Sequence, residues 1–431
     1  VVLGIGAGAF LVLRPSRVAD EAETPPTPQS VPLPQSMPEV VVPAPKVKLT
    51  KPDRASLTPK PLTRSKDLER VYTVLHEVVK THAMDPGDPW AVAHGVLALG
   101  PSEKLTNGAD AIDWLFDHYA KVVTIAGEDL VEFPPSDGAI RIEPHTDLLL
   151  KMITESGQEP DRLVRVAGRE FPLSALYRTS LRDAWVVGPM TGFQDQGFND
   201  TPWALQGLSA WAQRGLVWTA VGGRKMTLDG FTHHAAANLV HESRGLTEAK
   251  AKGELVKKDT RNGIFRYTCG GQHLLQGVAY AVARGFGSPG DQVVVCEQLD
   301  LLVWRIDVEL GAIDPMIPTA TRPIQIVLLE QRLKFLGHFL ETMHRILGTG
   351  MCPVNDSHVA ASERVATELV RTVDALSGLG VWSDLAAVRN DHTLDQYRNG
   401  GAEQVYLDFV GDSAHAVRGI DLATGRARLV Y

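Results

Sequence analysis

The sequence predicts a mainly all-α fold, a toroid-like helical repeat domain with short β-hairpin decorations, behind an N-terminal membrane anchor and a proline-rich linker. Three observations predict it. A helix-opening cassette recurs: Trp203-Ala-Leu-Gln206-Gly207 can be laid beside His273-Leu-Leu-Gln276-Gly277, His415-Ala-Val-Arg418-Gly419 and Ala91-Val-Ala-His94-Gly95, with looser copies at His145 and His338. Self-similarity at intervals of roughly 54 to 77 residues marks a repeated helical unit. Apolar residues at helical spacing fill the intervening segments, and the strand patterns are short hairpins without a central sheet. Paired helices at six positions predict a closed α/α toroid.

The chain has 431 residues, 44% hydrophobic and 22% charged, which supports a large core. Its formal net charge of −8 gives no basic footprint for nucleic acid. Cys269, Cys296 and Cys352 allow one bridge with a thiol left over, or three free thiols.

Residues 1–17 read as the end of a membrane anchor. Val1 to Leu13 are uninterrupted apolar residues or glycine, too few for a whole span. A cleaved signal peptide is the alternative. Arg14 and Arg17 follow. Residues 18–63 read as a disordered linker. Eleven prolines between Pro25 and Pro61 keep it extended and solvated. Anchor and spacer predict a single-pass protein of a bacterial inner membrane, its domain held in the periplasm. A cell-envelope glycan or protein is then the expected partner.

Residues 64–431 form the folded body. Leu68, Val71, Val74, Leu75 and Val78 give a first helical face. Asp88-Pro89-Trp90 opens the next helix, with Asp as N-cap and Pro in the first turn. Asp200-Thr201-Pro202-Trp203 repeats the device. Further helical patterns run over 109–124, 145–156, 173–183, 229–244, 293–309, 324–347, 357–377 and 403–411. Hairpins are expected over 131–142, 163–171 and 216–228, and a last strand pair about Thr424-Gly425.

In a toroid the inner helices run parallel, so their positive ends gather at one mouth and favour an anionic or polar ligand. The expected cavity residues are His94, His145, Trp203, Gln206, Gln276, His338 and His415. As a helix pattern over 85–425, the body resembles the toroids of terpenoid cyclases, prenyltransferases and lanthionine cyclases. That resemblance implies fold and not activity, because no catalytic motif of these families is complete. Lanthionine cyclases hold zinc through two cysteines and a histidine, and here Cys269 lacks a second cysteine in that pattern.

Fourteen histidines invite a search for chemistry. His234 and His241 lie two helical turns apart and share a face. Tyr267-Thr-Cys269-Gly-Gly-Gln-His273 places a cysteine at a helix start, where its pKa is expected to fall. Cys269 and His273 with His234 or His241 form a candidate three-ligand zinc site with an open position. Cys269 with His273 is equally a candidate nucleophile and base. Asp200 is a candidate carboxylate beside a sugar, or simply a helix cap. Gly285-Phe-Gly-Ser-Pro-Gly290 has dinucleotide-fingerprint spacing but follows a helix, and neither a P-loop nor a G-x-S-x-G elbow occurs. Two functions fit these residues. One is a membrane-tethered domain that binds a polar ligand or partner protein without catalysis. The other is a cavity enzyme acting on a glycan or peptide through Cys269, His273 and the His233–His241 cluster.

Overall fold

The computed structural model describes residues 2–4, 10–12, 43–49, 65–184, 195–259 and 262–426. The body is mainly helical, with thirteen α-helices and five two-stranded antiparallel sheets among the described residues. At the N-terminus, Val2–Gly4 pairs with Phe10–Val12. The rest of the expected anchor lies outside the described residues, and no described helix is long and apolar enough to cross a membrane. Of the expected linker, residues 43–49 lie on the body. There Ala44 is buried, and Arg178 donates to the carbonyls of Pro45 and Ala44 at 2.9 and 3.2 Å. The other linker residues are outside the described set.

Helices α1 (Lys66–Val78), α2 (Pro89–Leu99), α3 (Ala111–Tyr119), α4 (Leu148–Glu155), α5 (Ser174–Asp183), α6 (Asp195–Trp211) and α7 (Leu228–Lys252) make up the first part of the body. Then come α8 (Gln272–Ala283), α9 (Pro289–Ile313), α10 (Arg322–Gly348), α11 (Asp356–Gly378), α12 (Leu385–Val388) and α13 (Gly401–Thr424). Six of them pack in a cycle. Helix α2 meets α4, α4 meets α6, α6 meets α8, α8 meets α10, α10 meets α13, and α13 returns to α2. The others pack against this cycle: α1 on α13, α3 on α2, α5 on α6, α7 on α8, α9 on α8 and α10, and α11 on α10.

Burial separates the two sets. Every residue of α8 from Gln272 to Ala281, and of α13 from Val405 to Thr424, is buried. Helices α1 and α11 bury one stripe. A helix buried all round has neighbours on every side.

The cassette glycines explain the repeat. A Cβ on Gly207 of α6 would lie 2.9 Å from Leu150 of α4. One on Gly277 of α8 would lie 2.9 Å from the Pro202 carbonyl of α6, and one on Gly419 of α13 2.9 Å from the Gly337 carbonyl of α10. Each glycine lets its helix approach the preceding member of the cycle more closely than a side chain allows. Gly95 of α2 serves a different contact, against Ala83 and Met84.

Local differences from the sequence reading have local causes. Asp88 caps α2 as expected, accepting from the Ala91 N–H at 2.8 Å. Asp200 does not cap α6, because that helix starts at Asp195 and holds Pro202 inside it. Lys121–Ile125 is a strand, not the end of a helix. It pairs with Glu128–Glu132 across Ala126-Gly127, so the segment beginning at Val131 has a different partner from the one expected. The hairpins Leu163–Val166 with Arg169–Pro172 and Val217–Ala220 with Arg224–Thr227 form where their turns predict. At the C-terminus α13 continues to Thr424 and ends on left-handed Gly425, in place of the expected strand pair.

Candidate functional site

A cavity of about 360 Å³ opens among the six cycle helices. Each contributes a ring, from the helix itself or, for α4, from the segment leading into it. His94 comes from α2, Trp203 from α6 and His273 from α8, while His145 precedes α4. His338 of α10 and His415 of α13 complete the set, and Cys269 sits at the entrance to α8. The rings follow one another in contact. Trp90 lies 4.0 Å from His94, His94 5.3 Å from His415, and His415 3.8 Å from His338. His338 then lies 4.8 Å from His273, His273 4.3 Å from Trp203, and Trp203 5.5 Å from His145.

Backbone and carboxylate acceptors fix the histidine tautomers. His94 Nδ1 donates to the Trp90 carbonyl at 2.8 Å, and His338 Nδ1 donates to the Lys334 carbonyl at 2.7 Å. His415 Nδ1 donates to Glu341 Oε2 at 2.5 Å. A carbonyl or carboxylate only accepts, so each Nε2 is left as a lone pair when the ring is neutral. Burial favours the neutral ring. It lowers His94 and His145 to about 4, and holds His273, His338 and His415 well below the usual histidine value.

Cys269 is placed by an unusual turn. Cys269, Gly270 and Gly271 are three successive left-handed residues, with φ of 52°, 60° and 79°. Glycine adopts this backbone freely, but a cysteine there is strained by about 1 kcal/mol or more. Arg305 pins the turn, donating to the Gly270 carbonyl at 2.9 Å while held by Glu309 at 2.7 Å. The turn brings Cys269 Sγ to 3.0 Å from His338 Nε2, which is 3.2 Å from His273 Nε2. These three side chains are a group with metal-ligand geometry, their ligand atoms all within 4.8 Å of one another.

The expected lowering of the Cys269 pKa is overturned. Burial pushes it up, with Lys334 opposing and the carboxylates of Asp412, Asp408 and Glu330 adding to the rise. A helix N-terminus cannot compensate for that much desolvation.

One wall of the cavity is acidic. Lys334 Nζ lies 3.1 Å from Glu330, 3.4 Å from Asp408 and 3.7 Å from Asp412. Burial pushes Asp412 well above the carboxylate range, and nearby Glu330 reinforces this. Burial thus favours the neutral form of Asp412, against the pull of Lys334. Beneath the cavity, Glu155 meets Arg345, Arg418 and Lys151, while Glu341 joins Arg345, Arg418 and His415.

The remaining expected residues lie elsewhere. Gln206 is bonded to Glu155 at 2.9 Å and Gln276 to Thr342 at 2.8 Å, both outside the cavity lining. His234 and His241 are on α7, which packs outside the cycle, so His338 and neither of them joins Cys269 and His273. His233 pairs with Asp291 at 2.9 Å. Asp200 accepts from the Thr146 N–H at 3.1 Å and supports the segment carrying His145.

No protein-family model matches the chain, and no curated protein or solved structure matches it significantly. The site's chemistry therefore rests on its own geometry. Sequence reasoning missed Lys334, Asp408 and Asp412 as lining residues, although Asp408, Asp412 and His415 at steps of four and three share one helix face. The cysteine alternatives resolve to a Cys296–Cys352 bridge with Cys269 free.

Proposed function

We propose that the six-helix cycle is an α/α toroid and that its cavity is the active site of an enzyme acting on a polar substrate, a glycan or a peptide. One observation carries this reading. The recurrent cassettes, far apart in sequence, deliver their histidines and Trp203 to one cavity that also holds Cys269 and Asp412. Scattered core histidines would not share a wet wall.

The residues supply opposed functions. Asp412, whose neutral form burial favours, is the candidate acid. His415, backed by Glu341 and one turn away on α13, offers a neutral Nε2 as base. Trp90 and Trp203 present flat faces on which a sugar ring or a peptide plane stacks. The cavity volume sits at the small end of ligand pockets, which run from roughly 300 to 1,000 Å³, and so suits the terminal unit of a polymer.

The linker and apolar N-terminal segment support a body tethered to a membrane on its periplasmic side. The Cys296–Cys352 bridge favours an oxidising compartment. A cell-envelope glycan or peptide is then the substrate at hand.

The test is incubation of the full chain with soluble peptidoglycan fragments and with oligopeptides, products being read by mass spectrometry. Turnover lost in Asp412→Asn and His415→Ala supports the reading. Ligand-induced stabilisation without turnover would favour the second reading, a binding domain. Neither response to any of these probes would refute the proposed substrate class.

A further inference from the structure

The contact among Cys269, His273 and His338 contains a conflict that hydrogen bonding alone does not resolve. His338 gives its Nδ1 proton to the Lys334 carbonyl, so its Nε2 carries one in-plane lone pair. Two groups press on that lone pair, Cys269 Sγ at 3.0 Å and His273 Nε2 at 3.2 Å. A single lone pair accepts one good hydrogen bond. Whichever partner donates, the other is left against His338 without a hydrogen bond of its own. The backbone is strained to produce this meeting, because Cys269 is held left-handed by a turn that Arg305 pins.

We propose that Cys269 Sγ, His273 Nε2 and His338 Nε2 bind a single zinc(II) ion whose fourth position opens into the cavity. One thiolate with two imidazoles is a donor set that zinc favours, and three protein ligands with an open site is the arrangement of catalytic rather than structural zinc. Zinc bonds of about 2.0–2.1 Å to nitrogen and about 2.3 Å to sulfur put tetrahedral ligand atoms roughly 3.3–3.7 Å apart. The two separations to His338, 3.0 and 3.2 Å, need to open by about half an ångström or less, and Cys269 and His273 present their ligand atoms within 4.8 Å of each other. On binding, the Cys269 S–H bond breaks, its electron pair forms the S–Zn bond, and the proton leaves to solvent. The Lys334 carbonyl holds His338 in the ligating tautomer, as an outer-shell acceptor does in zinc sites.

This deepens the reading of the cavity as an active site, and rests on it only for what fills the fourth position. A metal-bound water there is a nucleophile near neutral pH, and a metal-bound carbonyl is an electrophile. Asp412 and His415 on the same cavity wall then manage the protons.

The experiment uses the full chain, expressed without a histidine tag and purified without chelators. Elemental analysis should find about one zinc per chain, falling at least tenfold in Cys269→Ser, His273→Ala and His338→Ala, with full retention in the His234→Ala/His241→Ala double variant. Should the alanine variants misfold, Cys269→Ser, nearly isosteric, still reads the site. Wild type refilled with cobalt(II) should show a thiolate-to-cobalt charge-transfer band that Cys269→Ser lacks. A metal-free protein that takes up no cobalt with that band, and whose Cys269 is alkylated at the same rate with or without added zinc, would overturn the proposal. The two readings fail separately. Turnover by protein that takes up no zinc would overturn the zinc site and leave the cavity enzyme standing. Bound zinc, lost in the three ligand variants, would support the site even if none of the tested substrates turned over.

Discussion

Cys269 Sγ lies 3.0 Å from His338 Nε2, across 69 residues of sequence. The contact joins the entrance of α8 to the middle of α10, two neighbours in the cycle, and most of the chemistry of the cavity gathers about it. The cassette that recurs along the chain is thus both a packing device and a delivery device. Its glycine brings neighbouring helices together, and its ring faces the space they enclose.

The packing half has a direct test. Gly419→Ala puts a Cβ 2.9 Å from the Gly337 carbonyl and from the Glu341 nitrogen, so α13 must move off α10. It should cost about 1–3 kcal/mol in urea denaturation. Gly245→Ala, exposed on α7 with nothing within 4 Å, should be neutral or stabilising by up to about 1 kcal/mol.

The floor of the cavity depends on paired charge. Glu155 is buried between Arg345 and Arg418. Glu155→Gln removes the anion and leaves two buried guanidinium groups sharing Glu341. A loss of about 3–5 kcal/mol is expected from denaturant titration. A variant as stable as wild type would mean that the floor is hydrated.

The stability contributed by the buried histidines should fall on the acid side of neutrality. Burial holds His94 and His344 at about 4, against 6.5 for a free histidine. Between these values each of the two histidines binds a proton in the unfolded chain and not in the folded one, so its contribution is full above 6.5 and is lost as pH drops towards 4, while buried Asp147, raised to about 7, contributes in the opposite sense. Each such histidine contributes a slope of about 1.4 kcal/mol per pH unit inside that window. The denaturation midpoint of wild type and of the His344 variant is compared from pH 7.5 to 4.5, and the histidine contribution is the difference between the two curves below 6.5. His344→Gln should flatten the slope.

The Cys296–Cys352 bridge closes a loop at a separation of 56 residues. Reduction should lower stability by about 2–4 kcal/mol. Alkylation of denatured, unreduced protein should modify Cys269 alone.

The helical class, the recurring glycine and the cavity rings were legible because each leaves a local mark. Gln206-Gly207 and Gln276-Gly277 read alike since both meet a preceding helix. Three things left no such mark. His338 sits mid-helix in a weak copy of the cassette, so its meeting with Cys269 depends on the closing of the cycle. The strand at Lys121–Ile125 follows a helix without a Gly or Pro stop, and only pairing across Ala126-Gly127 reveals it. The thiol's raised pKa comes first from burial by the closed cycle, with Asp412, Asp408 and Glu330 adding to it, and none of those carboxylates is its neighbour in sequence.

Anomalous diffraction at the zinc edge, from crystals of protein never exposed to chelator, tests the central claim most directly. The account predicts one strong peak within bonding distance of Cys269 Sγ, His273 Nε2 and His338 Nε2, with its open side towards Asp412 and His415. No peak there, or a peak only at His234 and His241 on α7, would contradict it.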